Sequence, residues 1–272
     1  ASLNLDPESI EKRLTPYTKA VIPVHMCGAP ANMDKIMEVS RKRNLKVLED
    51  NAQSVGGSFR GKKLGTIGDM GILSFDFYKT MTTGEGGMVI TNDRNLYLRA
   101  DWYHDHGHDH NPKVARALEG RFILGMNFRM NELQGALGLA QLERVDALNG
   151  RRKSLAERYL EGLSDIAGID LPGVPSYPHG HPWHLFVVKV TGMPRDRFFE
   201  RLSEFNVGYG LHFPAAHRLR YVRERYGEVP GGLLKETERA AERIVSLPLF
   251  PGMSFDDVDY VCDAIREILK NG

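Results

Sequence analysis

Cysteine and tryptophan are nearly missing, with two of each in 272 residues. Two cysteines, Cys27 and Cys262, cannot build the bridge framework of a small secreted domain, so the chain must rely on a hydrophobic core, and a reducing, cytoplasmic setting is expected. A surplus of either charge is missing as well: 36 Lys and Arg against 35 Asp and Glu leave a formal +1. No overall basic field is available to hold a nucleic-acid backbone, and basic stretches are short, such as Arg151-Arg152-Lys153. No run approaches the roughly 20 apolar residues of a membrane span, and Ala1 to Ile10 is too polar for a signal peptide. Neither nucleic acid nor membrane is expected as a partner. What remains, 42% hydrophobic and 26% charged, is globular rather than disordered and long enough for one large or two unequal domains.

Patterning divides the chain. Ala20 to His25 is a short apolar run closed by Cys27-Gly28-Ala29-Pro30, and Met33, Ile36 and Met37 recur at helical spacing as far as Arg43. With Leu45 to Asp50 as the next strand, Val21 to Asp50 reads as a βαβ unit with parallel strands. Gly71–Phe75 and Met88–Thr91 are two further strands, separated by a loop holding Lys79 and Thr82-Thr83-Gly84-Glu85-Gly86-Gly87. Asp93 caps a helix to about Trp102, and Asn131-Glu132-Leu133-Gln134 opens a long helix to Leu148, which Gly150 should break or bend. After Ile166 the Pro- and Gly-rich stretch from Leu171 to Pro178 reads as a linker. A strand over His184–Val190 and helices at Arg195–Glu204, Leu234–Ile244 and Ser254–Leu269 follow. The expectation is an α/β domain over residues 1–150 with a mostly parallel sheet, then a connecting helix and smaller α+β domain over 151–272.

In open α/β sheets ligands bind beyond the carboxyl ends of the strands, which is where His25, Asp50, Gln53, Ser74 and Lys79 fall. A lysine near a carboxylate in such a crevice suits pyridoxal 5′-phosphate (PLP) chemistry. The amine forms an imine, and the acid keeps the pyridine nitrogen protonated so that the ring accepts electrons. Taken singly, Asp50 before Asn-Ala serves equally as a loop cap, and Lys79 as a surface amine.

The ordered set is more specific: Glu49-Asp50-Asn51-Ala52-Gln53, then Ser74-Phe75-Asp76-Phe77-Tyr78-Lys79, then Thr82 to Gly87, then Asn127-Phe128-Arg129-Met130-Asn131-Glu132-Leu133-Gln134. This series resembles the DegT/StrS-type sugar aminotransferases, PLP enzymes of the aspartate aminotransferase fold (fold type I) that act as homodimers, and the match runs to the carboxyl end. The resemblance implies that Lys79 carries the cofactor and shuttles the proton, that Asp50 pairs with the pyridine nitrogen, and that Ala52 lies against the ring. It further implies that Gln53 bonds the phenolic oxygen, that Ser74 donates to the phosphate, and that Asn127 reaches the phosphate of the partner subunit's cofactor, so that active sites are shared. The implied reaction moves an amino group from an amino acid, glutamate foremost, to a keto- or aldehyde-sugar. That acceptor is nucleotide-linked or of keto-deoxy-acid type, in surface polysaccharide or deoxyaminosugar biosynthesis.

Two departures from the family stand out. The amino-terminal segment, whose helix start cradles the cofactor phosphate in the family, is expected to be missing before Ala1, which keeps open a non-catalytic dimerisation or regulatory module of the same fold. Asp76-Phe77-Tyr78 stands where many members carry other residues before the lysine. Retention of Lys79 argues against the dehydratase branch of the family, where His replaces it; PLP-dependent dehydration of a sugar stays as an alternative.

His104-Asp105-His106-Gly107-His108-Asp109-His110 invites a metal. On an extended strand all four imidazoles would share one side, but the expected reading is a polar loop at the mouth of the active site with no physiological metal. His181, His184, His212 and His217 are either structural or part of a sugar pocket, and Trp102 and Trp183 are read as packing. Met126, Met130, Leu133 and Leu137 are read as core or dimer-interface packing.

Overall fold

A computed structural model describes residues 2–271, which divide into two compact units. The first holds Asn4–Ala147 and Tyr177–His181; the second holds Leu148–Ser176 and residues 182–271, together with residues 2–3. In chain order the first unit contains α1 (Pro7–Arg13), β1 (Ala20–Val21), α2 (Met33–Lys42), β2 (Lys46–Asp50), β3 (Ser58–Phe59), β4 (Lys62–Lys63), β5 (Met70–Ser74), β6 (Gly87–Ile90), α3 (Arg94–His104) and α4 (Glu132–Leu142). Helix α5 (Val145–Gly162) runs across the division, β7 (Ile169–Asp170) follows in the second unit, and β8 (His179–Gly180) pairs with β3 of the first. The second unit continues with β9 (Phe186–Val190), α6 (Arg195–Glu204), α7 (Arg220–Tyr226), α8 (Lys235–Ala241), β10 (Ile244–Leu247) and α9 (Phe255–Lys270).

The main sheet of the first unit has the order β1-β2-β5-β6, with β1, β2 and β5 mutually parallel. The expected βαβ unit is present. Asn32 caps α2 by accepting from the Lys35 N–H, and Met33 and Ile36 on the inward stripe are fully buried with Val21, Leu45 and Val47. Strand β6 runs antiparallel to β5, because residues 75–86 return the chain directly without a crossover helix. At Gly71 in β5 an added Cβ would lie 2.2 Å from the Gly65 carbonyl oxygen, so no side chain fits where these two segments approach.

In the second unit β10-β9-β7 form an antiparallel sheet, and Phe186, Val188 and Val190 of β9 are buried with Phe198 and Leu202 of α6 and Val258, Val261, Cys262 and Ile265 of α9. Ser254 opens α9 with a capping box to Asp257. Trp183 is buried in this core and stacks on Phe186.

Two expected elements differ. The helix opened by Asn131 stops at Leu142 and restarts at Val145, while Gly150 lies inside α5; Gly138 and Gly150 are both accommodated within helices, and the interruption falls at Glu143-Arg144. The helix expected to reach Ile244 ends at Ala241, since Ile244–Leu247 is buried throughout and pairs with Phe186–Lys189. There, sheet pairing overrides a local pattern that also suits a helix.

Candidate active site

Asp50 and Ser74 end β2 and β5, and Ala52, Gln53 and Lys79 lie just past those carboxyl ends. The ladder extends beyond β1, with the His25 N–H donating to the Asp50 carbonyl at 3.1 Å and the Asp50 N–H to that of Pro23 at 2.9 Å. Asp50 pairs with Ile72, so Ser74 stands two residues further along the neighbouring strand. The Asp50 side chain is on the half-buried face of β2, and its Oδ1 accepts from the Ala52 N–H at 3.1 Å. The buried Gln53 spends its Oε1 on the Cys27 N–H at 2.7 Å, and its NH2 group, without a hydrogen bond among the described residues, is the donor still to be used. Burial pushes the Cys27 thiol up to about 12, so it is inert as a nucleophile.

Lys79 ends a tight turn, its N–H bonded to the Asp76 carbonyl at 3.0 Å, and its side chain is half-buried. Among the described residues neither Lys79 nor Asp50 has an ion-pair partner. The glycine-rich loop is pinned from both sides. Phe75 donates its N–H to Gly86 and accepts from Thr83 through its carbonyl (both 2.9 Å), while the Gln134 amide donates to the Glu85 carbonyl at 2.7 Å. That last bond ties the Gly-rich motif to the Asn131 capping box.

Sequence reasoning overlooked the residue that anchors this edge. Glu49 is fully buried and accepts four hydrogen bonds: from His25 Nε2 (3.1 Å) and from the N–H groups of Gly65 (2.9 Å), Ile67 (2.6 Å) and Gly68 (2.7 Å). His25 Nδ1 accepts from the Ala31 N–H at 3.1 Å, so the ring carries its proton on Nε2 and donates it to Glu49. Burial pushes the Glu49 carboxyl up, but His25 and the Gly68 and Gly65 amides outweigh it and hold the group below the ordinary carboxylate range. The sequence did contain a signal, since in the strand Lys46–Asp50 the alternation places Glu49 on the same face as Val47. His25, expected among the strand-end ligands, is spent on this support.

Asn127 lies in a separate part of the same unit. Its backbone bridges Asp105, and its side chain is exposed. The His-rich stretch is a turn following α3 rather than an extended strand. His108 Nδ1 is 2.6 Å from Glu119, His106 is exposed, and no three His, Cys, Asp or Glu side chains among the described residues gather as a metal cage. Of the other histidines, burial pushes His181 down to about 3, His212 bonds Ser246 at 2.8 Å and His217 faces Glu238 at 3.3 Å.

Residues 1–266 match the DegT/DnrJ/EryC1/StrS aminotransferase family. Among solved structures, DesV of S. venezuelae, determined with a ketimine intermediate, is 32% identical; the match covers 99% of this chain and 70% of DesV at a TM-score of 0.89. The aminotransferase TlmJ from Streptoalloteichus hindustanus is 31% identical over 99% of this chain and 70% of its own, also at 0.89. PseC of Helicobacter pylori, an aminotransferase of pseudoaminic acid biosynthesis, shares the fold at 23% identity and a TM-score of 0.89, covering 99% and 71%. The chain belongs to the DegT/DnrJ/EryC1/StrS aminotransferases, a family of PLP-dependent sugar aminotransferases. No helix among the described residues is long and apolar enough to cross a membrane.

Proposed function

We propose that this protein transfers the amino group of an amino acid, glutamate foremost, to a keto- or aldehyde-bearing sugar, nucleotide-linked or of keto-deoxy-acid type, with Lys79 as the catalytic amine. The observation that carries the reading is the donor set at one sheet edge: an amine at Lys79 without an ion-pair partner, a carboxylate at Asp50 with its second oxygen uncommitted, and a Gln53 NH2 left uncommitted while its oxygen holds the Cys27 N–H. This set fits PLP, whose aldehyde, ring nitrogen and phenolic oxygen call for an amine, an acid and a donor respectively.

When bound, PLP supplies a conjugated ring that accepts the electron pair released at the donor's Cα. The chain's own residues do the rest. Asp50 accepts the N–H of the ring nitrogen and keeps it charged. Gln53 donates to the phenolic oxygen, the Ser74 hydroxyl donates to a phosphate oxygen, and the Ala52 methyl lies against the ring face. Lys79 Nζ takes the proton from the donor's Cα as base and returns it as acid.

The active form is a homodimer in which Asn127 serves the partner subunit's cofactor phosphate. Support comes from helix α4, whose sequence is largely apolar but which buries only Gly138, leaving Leu133 83% and Leu139 67% exposed; Phe122, Leu124 and Phe128 of the same unit are exposed as well. So large an apolar surface in the first unit calls for a partner. The test is a half-reaction: PLP-loaded protein given glutamate alone is expected to release 2-oxoglutarate once per site and to change its visible absorbance. Glutamate left unconverted in the presence of bound PLP would remove glutamate as donor, and failure with every amino acid tried would remove transamination.

A further inference from the structure

Asp105 carries more contacts than a loop residue needs. Only 2% exposed, it accepts from Arg116 Nη2 through both oxygens, at 2.8 and 2.7 Å, and from Arg129 Nη1. The two guanidinium groups outweigh the burial that would raise this carboxyl and hold it at about 2. Arg129 is two residues beyond Asn127, and the main chains of Asp105 and Asn127 form an antiparallel bridge. On either side, the Phe128 N–H donates to the His104 carbonyl at 2.8 Å and the His106 N–H to that of Met126 at 2.9 Å. At Gly107, with φ +78°, an added Cβ would lie 2.0 Å from the Ile123 carbonyl oxygen, so the two segments are as close as backbone allows.

The backbone of Asn127 is therefore fixed from several directions, while its exposed side chain has no hydrogen bond among the described residues. A residue so held and so uncommitted is pre-organised for a group that its own loop does not supply.

We propose that Asp105 is a positioning residue: itself fixed by Arg116, it holds Asn127 in place, through Arg129 and the backbone bridge, to meet the phosphate of the cofactor bound by a second copy of the chain. This rests on the reading of Asn127 and of the dimer given above. The His-rich turn then acts as the rigid partner of the Asn127 segment, with Asp105, not a histidine, as its working member.

The test measures PLP dissociation constants by titrating PLP-free dimer, with Asn127→Ala, Asp105→Asn and the double variant compared, and thermal unfolding of each PLP-free protein recorded beside them. Asn127→Ala and Asp105→Asn are each expected to weaken PLP on the order of tenfold, and the double variant no further than the worse single. If Asp105→Asn does not fold, Arg116→Gln, which alters an exposed side chain, takes its place with an expected weakening of roughly threefold. Unchanged PLP affinity in Asn127→Ala would remove the reading of Asn127, and the proposal with it. Weakening in Asn127→Ala with either no effect at Asp105 and Arg116 or fully multiplicative effects would leave Asn127 standing and overturn the positioning role. A lowered melting temperature in Asp105→Asn without a change in PLP affinity would likewise reduce Asp105 to a loop staple.

Discussion

Replacing Glu49 by Gln removes one acceptor oxygen from a site that is fully buried and fully used. Oε1 accepts from the N–H groups of Ile67 and Gly68, and Oε2 from Gly65 and His25. Whichever way the new amide turns, its NH2 confronts two donors. His25 cannot relieve the conflict by moving its proton, because Nδ1 is the acceptor for the Ala31 N–H. Two buried donors without an acceptor cost about 3–5 kcal/mol, about a fifth or more of a typical domain's stability. The loss should be confined to the first unit and can be read by urea unfolding through Trp102 fluorescence in a Trp183→Phe background. The pH dependence has a defined sign. Glu49 is held below the ordinary carboxylate range when folded, so its contribution is complete above the unfolded carboxyl's pKa and is lost as pH falls through the folded value. Glu49→Gln should abolish that part of the acid dependence. A loss below about 1 kcal/mol at pH 7, or an unchanged acid limb, would refute the reasoning.

Gly71→Ala places a methyl 2.2 Å from the Gly65 carbonyl oxygen, its nearest neighbours all backbone atoms of Gly65, and should cost more than about 3 kcal/mol, seen as loss of the first unit's unfolding transition from its wild-type position. Asp105, held at about 2, contributes stability that is complete above about pH 4 and lost between about 4 and 2; pepsin cleavage of the 105–128 segment should rise across that window and stay flat in Asp105→Asn. Leu133→Asp with Leu139→Asp puts two charges on the exposed apolar side of α4 and should halve the mass found by light scattering, leaving the secondary structure unchanged.

Much of the architecture was legible because local signals and tertiary demands agree. Asn131 and Ser254 open helices with capping boxes, Arg195–Glu204 is a helix over the expected span, and the apolar run around Val47 is a strand of the parallel sheet. Where they disagree, packing decides. Ile244–Leu247 continues an apolar rhythm that suits a helix, yet β9 offers a strand partner and the segment buries as β10. Gly150 reads as a breaker but sits in α5, since a single glycine costs only about 1 kcal/mol in a helix. The strand-end positions of Asp50, Gln53, Ser74 and Lys79 were readable from register. The pairing of Glu49 with His25, 24 residues apart, and of Asp105 with Arg116 and Arg129 was not, because side-chain partners distant in sequence leave no periodic trace.

Borohydride reduction of the PLP-loaded protein followed by peptide mapping tests the central claim most directly, because it fixes the cofactor to whichever amine holds it. The account predicts a single labelled residue, Lys79, with the label lost from Lys79→Ala; a label on another lysine, or none with PLP demonstrably bound, would contradict it.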